Sequence, residues 1–171
     1  RAARHAARGA AALTAAGWVH RNINPGCVLF DAAGRARLGD FYFARPAAPG
    51  PSAEATALGE PDEPGDLAYR APECLLGDPP TPAADVYGLG ATLYEALAGR
   101  PAVDPGGLPS EVTARALARP PRGPRERAPS VPAAVDALVC RAMARDPADR
   151  FATPAEFERA VAALAGAAAA C

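Results

Sequence analysis

The sequence predicts a mainly α fold, a helical bundle around one central helix with a single short β-hairpin. Three observations predict it. Residues 82–98 carry Val86, Leu89, Leu93 and Leu97 at helical spacing, the strongest periodic signal in the chain. The one stretch that reads as strand is short and folds back on itself at 27–39. Beyond a long loop, every remaining apolar segment has helical rather than alternating period.

Each element has a local reason. The first 17 residues are rich in alanine and arginine and lack proline, which favours helix. Residues 27–31 and 35–39 flank Ala32, Ala33 and Gly34, a turn that closes the hairpin. From 46 to 65 proline, glycine, alanine and acids dominate, so this is a loop, and loops of that length inside a compact domain are often functional. The central helix 82–98 takes Thr81 as N-cap, Pro82 as its first residue and Gly99 just past its end. A short helix follows at 108–118, then a proline- and arginine-rich loop to 129, then a helix at 132–144 with Val135, Leu138 and Val139 on one face. The last helix opens with Thr153, Pro154, Ala155 and Glu156, a capping-box pattern, and carries Phe157, Val161 and Leu164 as its apolar stripe.

At 171 residues the chain fits one domain or a large piece of one and can bury a core. Its net charge of −1 supplies no field for nucleic acid or an anionic membrane surface. All 18 basic residues are arginine; the chain contains no lysine. The four cysteines, Cys27, Cys74, Cys140 and Cys171, are far apart and only two histidines exist, which argues against zinc and against a disulfide framework. No leader and no apolar run near 18 residues is present, and the alanines at the end are too few and too weakly hydrophobic to span a bilayer. The expected compartment is reducing and soluble, the cytoplasm.

Five segments occur in an order that carries chemistry. They are His20-Arg21-Asn22-Ile23-Asn24-Pro25-Gly26-Cys27; Asp40-Phe41-Tyr42; Tyr69-Arg70-Ala71-Pro72-Glu73; Asp85-Val86-Tyr87-Gly88-Leu89-Gly90; and Asp146-Pro147-Ala148-Asp149-Arg150. Any one could arise by chance; five in sequence do not. They resemble the catalytic loop H-R-D-x-K-P-x-N, the D-F-G, the A-P-E, the central-helix D-V-W-S-x-G and the D-P-x-x-R of serine/threonine protein kinases of the bacterial, eukaryotic-like type. The resemblance covers the larger helical lobe, residues 1–165, with an alanine-rich tail at 166–171. The smaller lobe, with its glycine-rich loop, strand lysine and partner glutamate, is not matched.

The resemblance implies a role for each position. Asn22 stands where the family places the aspartate that accepts the substrate hydroxyl proton, and an amide has no useful basicity. Such general-base terms are worth roughly 10²–10⁴ in rate. Asn24 stands at the lysine position and Cys27 at a magnesium-ligand asparagine, where a thiol suits a hard cation poorly. Asp66, after Gly65, replaces the threonine usual near A-P-E. Asp40 survives as a weak magnesium candidate, and Tyr42 in place of glycine implies a stiffer start to the activation segment. Structural roles fall to Asp85, which in the family binds the backbone around His20 and Arg21; to the buried pair Glu73 and Arg150; and to His20 and Phe41, members of an apolar column.

Plainer readings stand beside these. Asp40 is otherwise a solvated acid at a strand end, Cys27 a buried thiol, and the arginines of 119–127 a solvated loop. Arg21 is expected to pair with Asp62, Glu63 or Asp66 rather than with phosphate on Ser52 or Thr56. Three functions remain open: an inactive kinase-like module used for binding or regulation; a lobe of an active ATP-dependent kinase; and a gene remnant without a role. No cofactor is expected for this chain alone, although the resemblance implies ATP and magnesium. The expected partner is a protein or an upstream N-terminal lobe, with no nucleic acid and no membrane insertion.

Overall fold

The computed structural model describes residues 1–47 and 66–169. The expected loop therefore lies mostly outside the described residues, and with it Ser52, Thr56, Asp62 and Glu63. Helix α1 (Ala2–Ala15) opens the chain and stops where Gly17 takes φ +82°. The expected hairpin is present: β2 (Val28–Phe30) pairs antiparallel with β3 (Ala36–Leu38), Leu29 opposite Arg37, and Gly34 turns the corner at φ +70°. A second antiparallel pair, β1 (Trp18–Val19) with β4 (Arg45–Pro46), sets Trp18 against Pro46. It was not expected from sequence, because two-residue strands carry no periodicity. Proline can occupy the edge because it has no N–H to offer.

Among the described residues five further α-helices follow: α2 (Pro72–Leu75), α3 (Pro82–Ala98), α4 (Pro109–Ala118), α5 (Ala133–Ala142) and α6 (Pro154–Ala169). The architecture is mainly α, as the sequence predicts. The central helix has the expected bounds, with Gly99 at φ +74° ending it. Thr81 occupies the N-cap position, but its side chain makes no capping bond, so Pro82 alone marks that start. The Thr153 hydroxyl does cap α6, accepting from the Glu156 N–H at 3.3 Å. Glu156 reaches back one residue further than a standard box, to the N–H of Ala152 at 3.0 Å.

Helix α3 is buried on nearly all sides, with Val86, Tyr87, Leu89 and Ala91 inside the core. Two of its glycines permit that position. A Cβ on Gly88 would lie 2.8 Å from the Ile23 carbonyl oxygen, and one on Gly90 would lie 2.8 Å from the Ala142 Cβ. Small residues thus let the segment 20–27 press on one side of α3 and α5 on the other. The same device serves where α1 packs on α6: Ala6, Ala7 and Ala10 are buried, and Phe157 is fully buried in the same core. Phe157 meets Phe151 edge to face, with ring centroids 5.6 Å apart.

Candidate active site

The segment 20–27 is held from behind. Asp85, on the first turn of α3, is buried, and its carboxylate accepts the backbone N–H of His20 at 2.8 Å and of Arg21 at 2.9 Å. Each bond satisfies a donor that the bend at Arg21, φ +71°, takes out of regular structure. Burial pushes the Asp85 carboxyl up, to about 6, against the pull of those donors and of the His20 ring. His20 is fully buried; its Nε2 bonds the Gly39 carbonyl at 3.0 Å, and its ring lies 5.3 Å from that of Phe41. Through His20 the loop is therefore tied to the segment that begins at Asp40.

Glu73 and Arg150 form a second anchor. The two groups meet fork to fork, with Nη1–Oε1 and Nη2–Oε2 both 2.7 Å. The remaining donors of Arg150 go to carbonyls of Ala83, Ala144 and Arg145, so all five N–H groups are used. The Arg150 side chain is 0% exposed and that of Glu73 12%. The pair joins α2 and the nearby start of α3 to the turn before α6, 77 positions beyond Glu73.

The front of the loop is different. Asn22 accepts the N–H of Asp66 through Oδ1 at 3.1 Å. Asn24 donates from Nδ2 to the Asn22 carbonyl at 3.2 Å and accepts the Gly26 N–H through Oδ1 at 2.8 Å. Cys27 is fully buried, its thiol bonding the Asn22 carbonyl at 3.0 Å and lying 3.8 Å from Asp40 Oδ2. Burial pushes the Cys27 thiol up, and neighbouring Asp40 adds to this, so the group is a protonated thiol and not a thiolate ligand or nucleophile. The side chains of Asn24 and Cys27 are thus bonded to the loop itself, and that of Asn22 to Asp66.

Asp40 is exposed and left-handed, at φ +60° and ψ +63°. Tyr42 lies within a single 3₁₀ turn, Phe41–Phe43. Among the described non-glycine residues only Arg21 and Asp40 have positive φ, so this conformation does not require glycine at 42. The donors do not fit a magnesium site: one exposed carboxylate stands beside a buried neutral thiol. Among the described residues no group of three His, Cys, Asp or Glu side chains converges.

Two contacts were invisible in the sequence. Asp66 caps the turn Leu67–Tyr69, its Oδ1 accepting the Ala68 N–H at 3.3 Å, while its own N–H holds Asn22 from 44 positions away. The Tyr69 hydroxyl donates to Glu95 on α3. Neither has a local signature, since each pairs ordinary polar residues across a long separation.

Comparison with known proteins agrees with this geometry. Residues 1–161 match the family model described as protein kinase domain. The chain is 42% identical over 142 residues to serine/threonine-protein kinase PknK of Mycobacterium tuberculosis, covering 82% of this chain and 12% of that protein. It is 36% identical over 159 residues to a serine/threonine-protein kinase of Corynebacterium efficiens, covering 93% of this chain and 29% of that one. It is 38% identical over 153 residues to serine/threonine-protein kinase PknJ of Mycobacterium bovis, with coverages of 86% and 25%. The chain thus spans less than a third of the length of these relatives. The anchored loop, the ion pair behind it and these matches lead to one conclusion: the chain belongs to the protein kinase domain family, of the serine/threonine type.

Proposed function

We propose that this kinase domain is catalytically inactive and serves as a binding or regulatory module, with residues 1–165 making up its larger lobe. One observation carries the reading. Asn22, a neutral amide, stands at the family's proton-accepting position, and its oxygen already accepts a backbone N–H. Losing a general base costs roughly 3–5 kcal/mol of transition-state stabilisation. Asn24 and Cys27 support the reading, because both are turned onto the loop, Asn24 lacks the positive charge that would steady a bound ATP, and Cys27 lacks the hard donor that magnesium would require. The exposed Leu29, Phe30, Phe41 and Tyr42 favour a protein surface or an N-terminal lobe as the partner. A reducing cytoplasmic setting suits the free Cys27, Cys74 and Cys140, and among the described residues no helix is long and apolar enough to cross a membrane.

A second reading, an active kinase with a displaced base, is favoured by Asp66, whose backbone bond to Asn22 brings a carboxylate-bearing residue to the catalytic loop. A phosphotransfer assay with ATP and magnesium on the longest native polypeptide separates the two. We expect no turnover, and none gained in Asn22→Asp alone. Turnover abolished by both Asp40→Ala and Asp66→Asn would replace the first reading with the second.

A further inference from the structure

A separate feature lies at the far end of α3. Tyr94 is nine residues beyond Asp85, about 13 Å along the helix axis, and there the C-terminal ends of α3 and α4 and the loop after α4 border a half-open cavity of about 760 Å³. Five of the chain's 18 arginines line it: Arg100, Arg115, Arg119, Arg122 and Arg127. Because the chain uses no lysine, the choice of arginine means little, but this concentration in one place does.

The five are not equally occupied. Arg122 pairs with Glu126 at 2.6 Å. Arg115 donates to the Gly106 carbonyl, and Arg127 donates to the Pro101 carbonyl at 2.9 Å while lying 5.8 Å over the Tyr94 ring. Arg100 and Arg119 have no hydrogen-bond or ion-pair partner among the described residues.

Charge arithmetic decides what such a cavity holds. Against the five guanidinium groups the lining offers two carboxylates, Asp104 and Glu126, a surplus of three positive charges. The ends of α3 and α4 each bring roughly half a negative charge. These ends explain why arginines gather here, yet they cancel only about one of the three surplus charges. About two remain, which matches a phosphomonoester of roughly −1.5 to −2 at neutral pH better than a single carboxylate. Guanidinium groups bind phosphate oxygens in bidentate fashion. The space is of the size that takes a ligand much larger than one phosphate, on the scale of about 300–1,000 Å³. Ala102, Val103, Pro120 and Pro121 add apolar wall for whatever flanks the charge.

We propose that this cavity is a docking site for a phosphorylated serine- or threonine-containing peptide segment. The site is independent of the state of the catalytic loop, so it stands whether or not the cleft is active.

The test is fluorescence anisotropy on the full chain. The probes are a labelled, otherwise neutral peptide bearing one phosphothreonine and its unphosphorylated counterpart, with inorganic phosphate as competitor. The phosphopeptide is expected to bind at least tenfold more tightly than the plain peptide and to weaken severalfold between 50 and 200 mM salt, as expected for phosphate contacts screened by ions. Arg100→Ala/Arg119→Ala should weaken it at least tenfold with an unchanged thermal melt, and Arg119→Gln alone about threefold. Arg8→Ala, on α1, should change nothing. Equal binding of the two peptides, or no effect of the double variant, overturns the proposal. Displacement by inorganic phosphate at the same concentration as the phosphopeptide also overturns it, since that marks a site for small anions alone.

Discussion

The two sides of the segment 20–27 use polar groups in opposite ways. Behind it, charges are buried and fully engaged: Asp85 holds two backbone donors, and Arg150 spends five donors on Glu73 and three carbonyls. In front, Asn22, Asn24 and Cys27 are neutral and bonded within their own loop and to Asp66. The difference teaches that the frame and the chemistry are separable. Charges that tie distant segments are costly to remove, whereas on the proposed reading a proton acceptor facing a cleft can become an amide of the same shape at little structural cost.

The largest expected effect is on the frame. Glu73→Ala leaves the Arg150 guanidinium buried without its counter-ion, and removing one partner of such a pair costs about 3–5 kcal/mol. The urea midpoint, at constant slope, reads this directly. A loss below about 1 kcal/mol would break the comparison.

Next is the pH dependence through Asp85. Its folded-state pKa is raised above that of the unfolded chain, so its contribution is fully present below about pH 4 and declines as pH rises through about 6. The decline is on the order of 2–3 kcal/mol. Asp85→Asn should abolish this slope in denaturant titrations between pH 4 and 7. It should also destabilise by about 1–3 kcal/mol, because one of the N–H groups of His20 and Arg21 then faces an amide NH₂. A slope unchanged in the variant would assign the titration to another group.

The smallest effect belongs to the front of the loop. Asn22→Asp keeps an oxygen for the Asp66 N–H, so stability should change by less than about 1 kcal/mol. A loss as large as that of Glu73→Ala would show that cleft and frame are not separable after all.

Much of this architecture was legible in the sequence. Pro82 and Gly99 bounded α3 because proline fits only a helix's first turn and glycine accepts the left-handed φ after the last. Gly34 marked the hairpin for the same reason. Helix α5 is shorter than its apolar pattern suggested, ending at Ala142, since the chain must turn at Met143 towards the Asp146 to Arg150 segment. The site residues were nameable only through their resemblance to a family, since nothing local to Asp85 says that it meets His20.

The sequence by itself determined which of the long segments are helical, where α3 starts and stops, and that an amide stands at Asn22, where the family resemblance implies a proton acceptor. These properties belong to single residues and near neighbours, and propensity, caps and chemical identity express them directly. Only the tertiary structure decided that β1 pairs with β4, that Asp66 secures Asn22, and that five arginines surround one cavity. Those relations join positions tens of residues apart, and they exist only because burying the flanks of α3 forces the segments around it into contact.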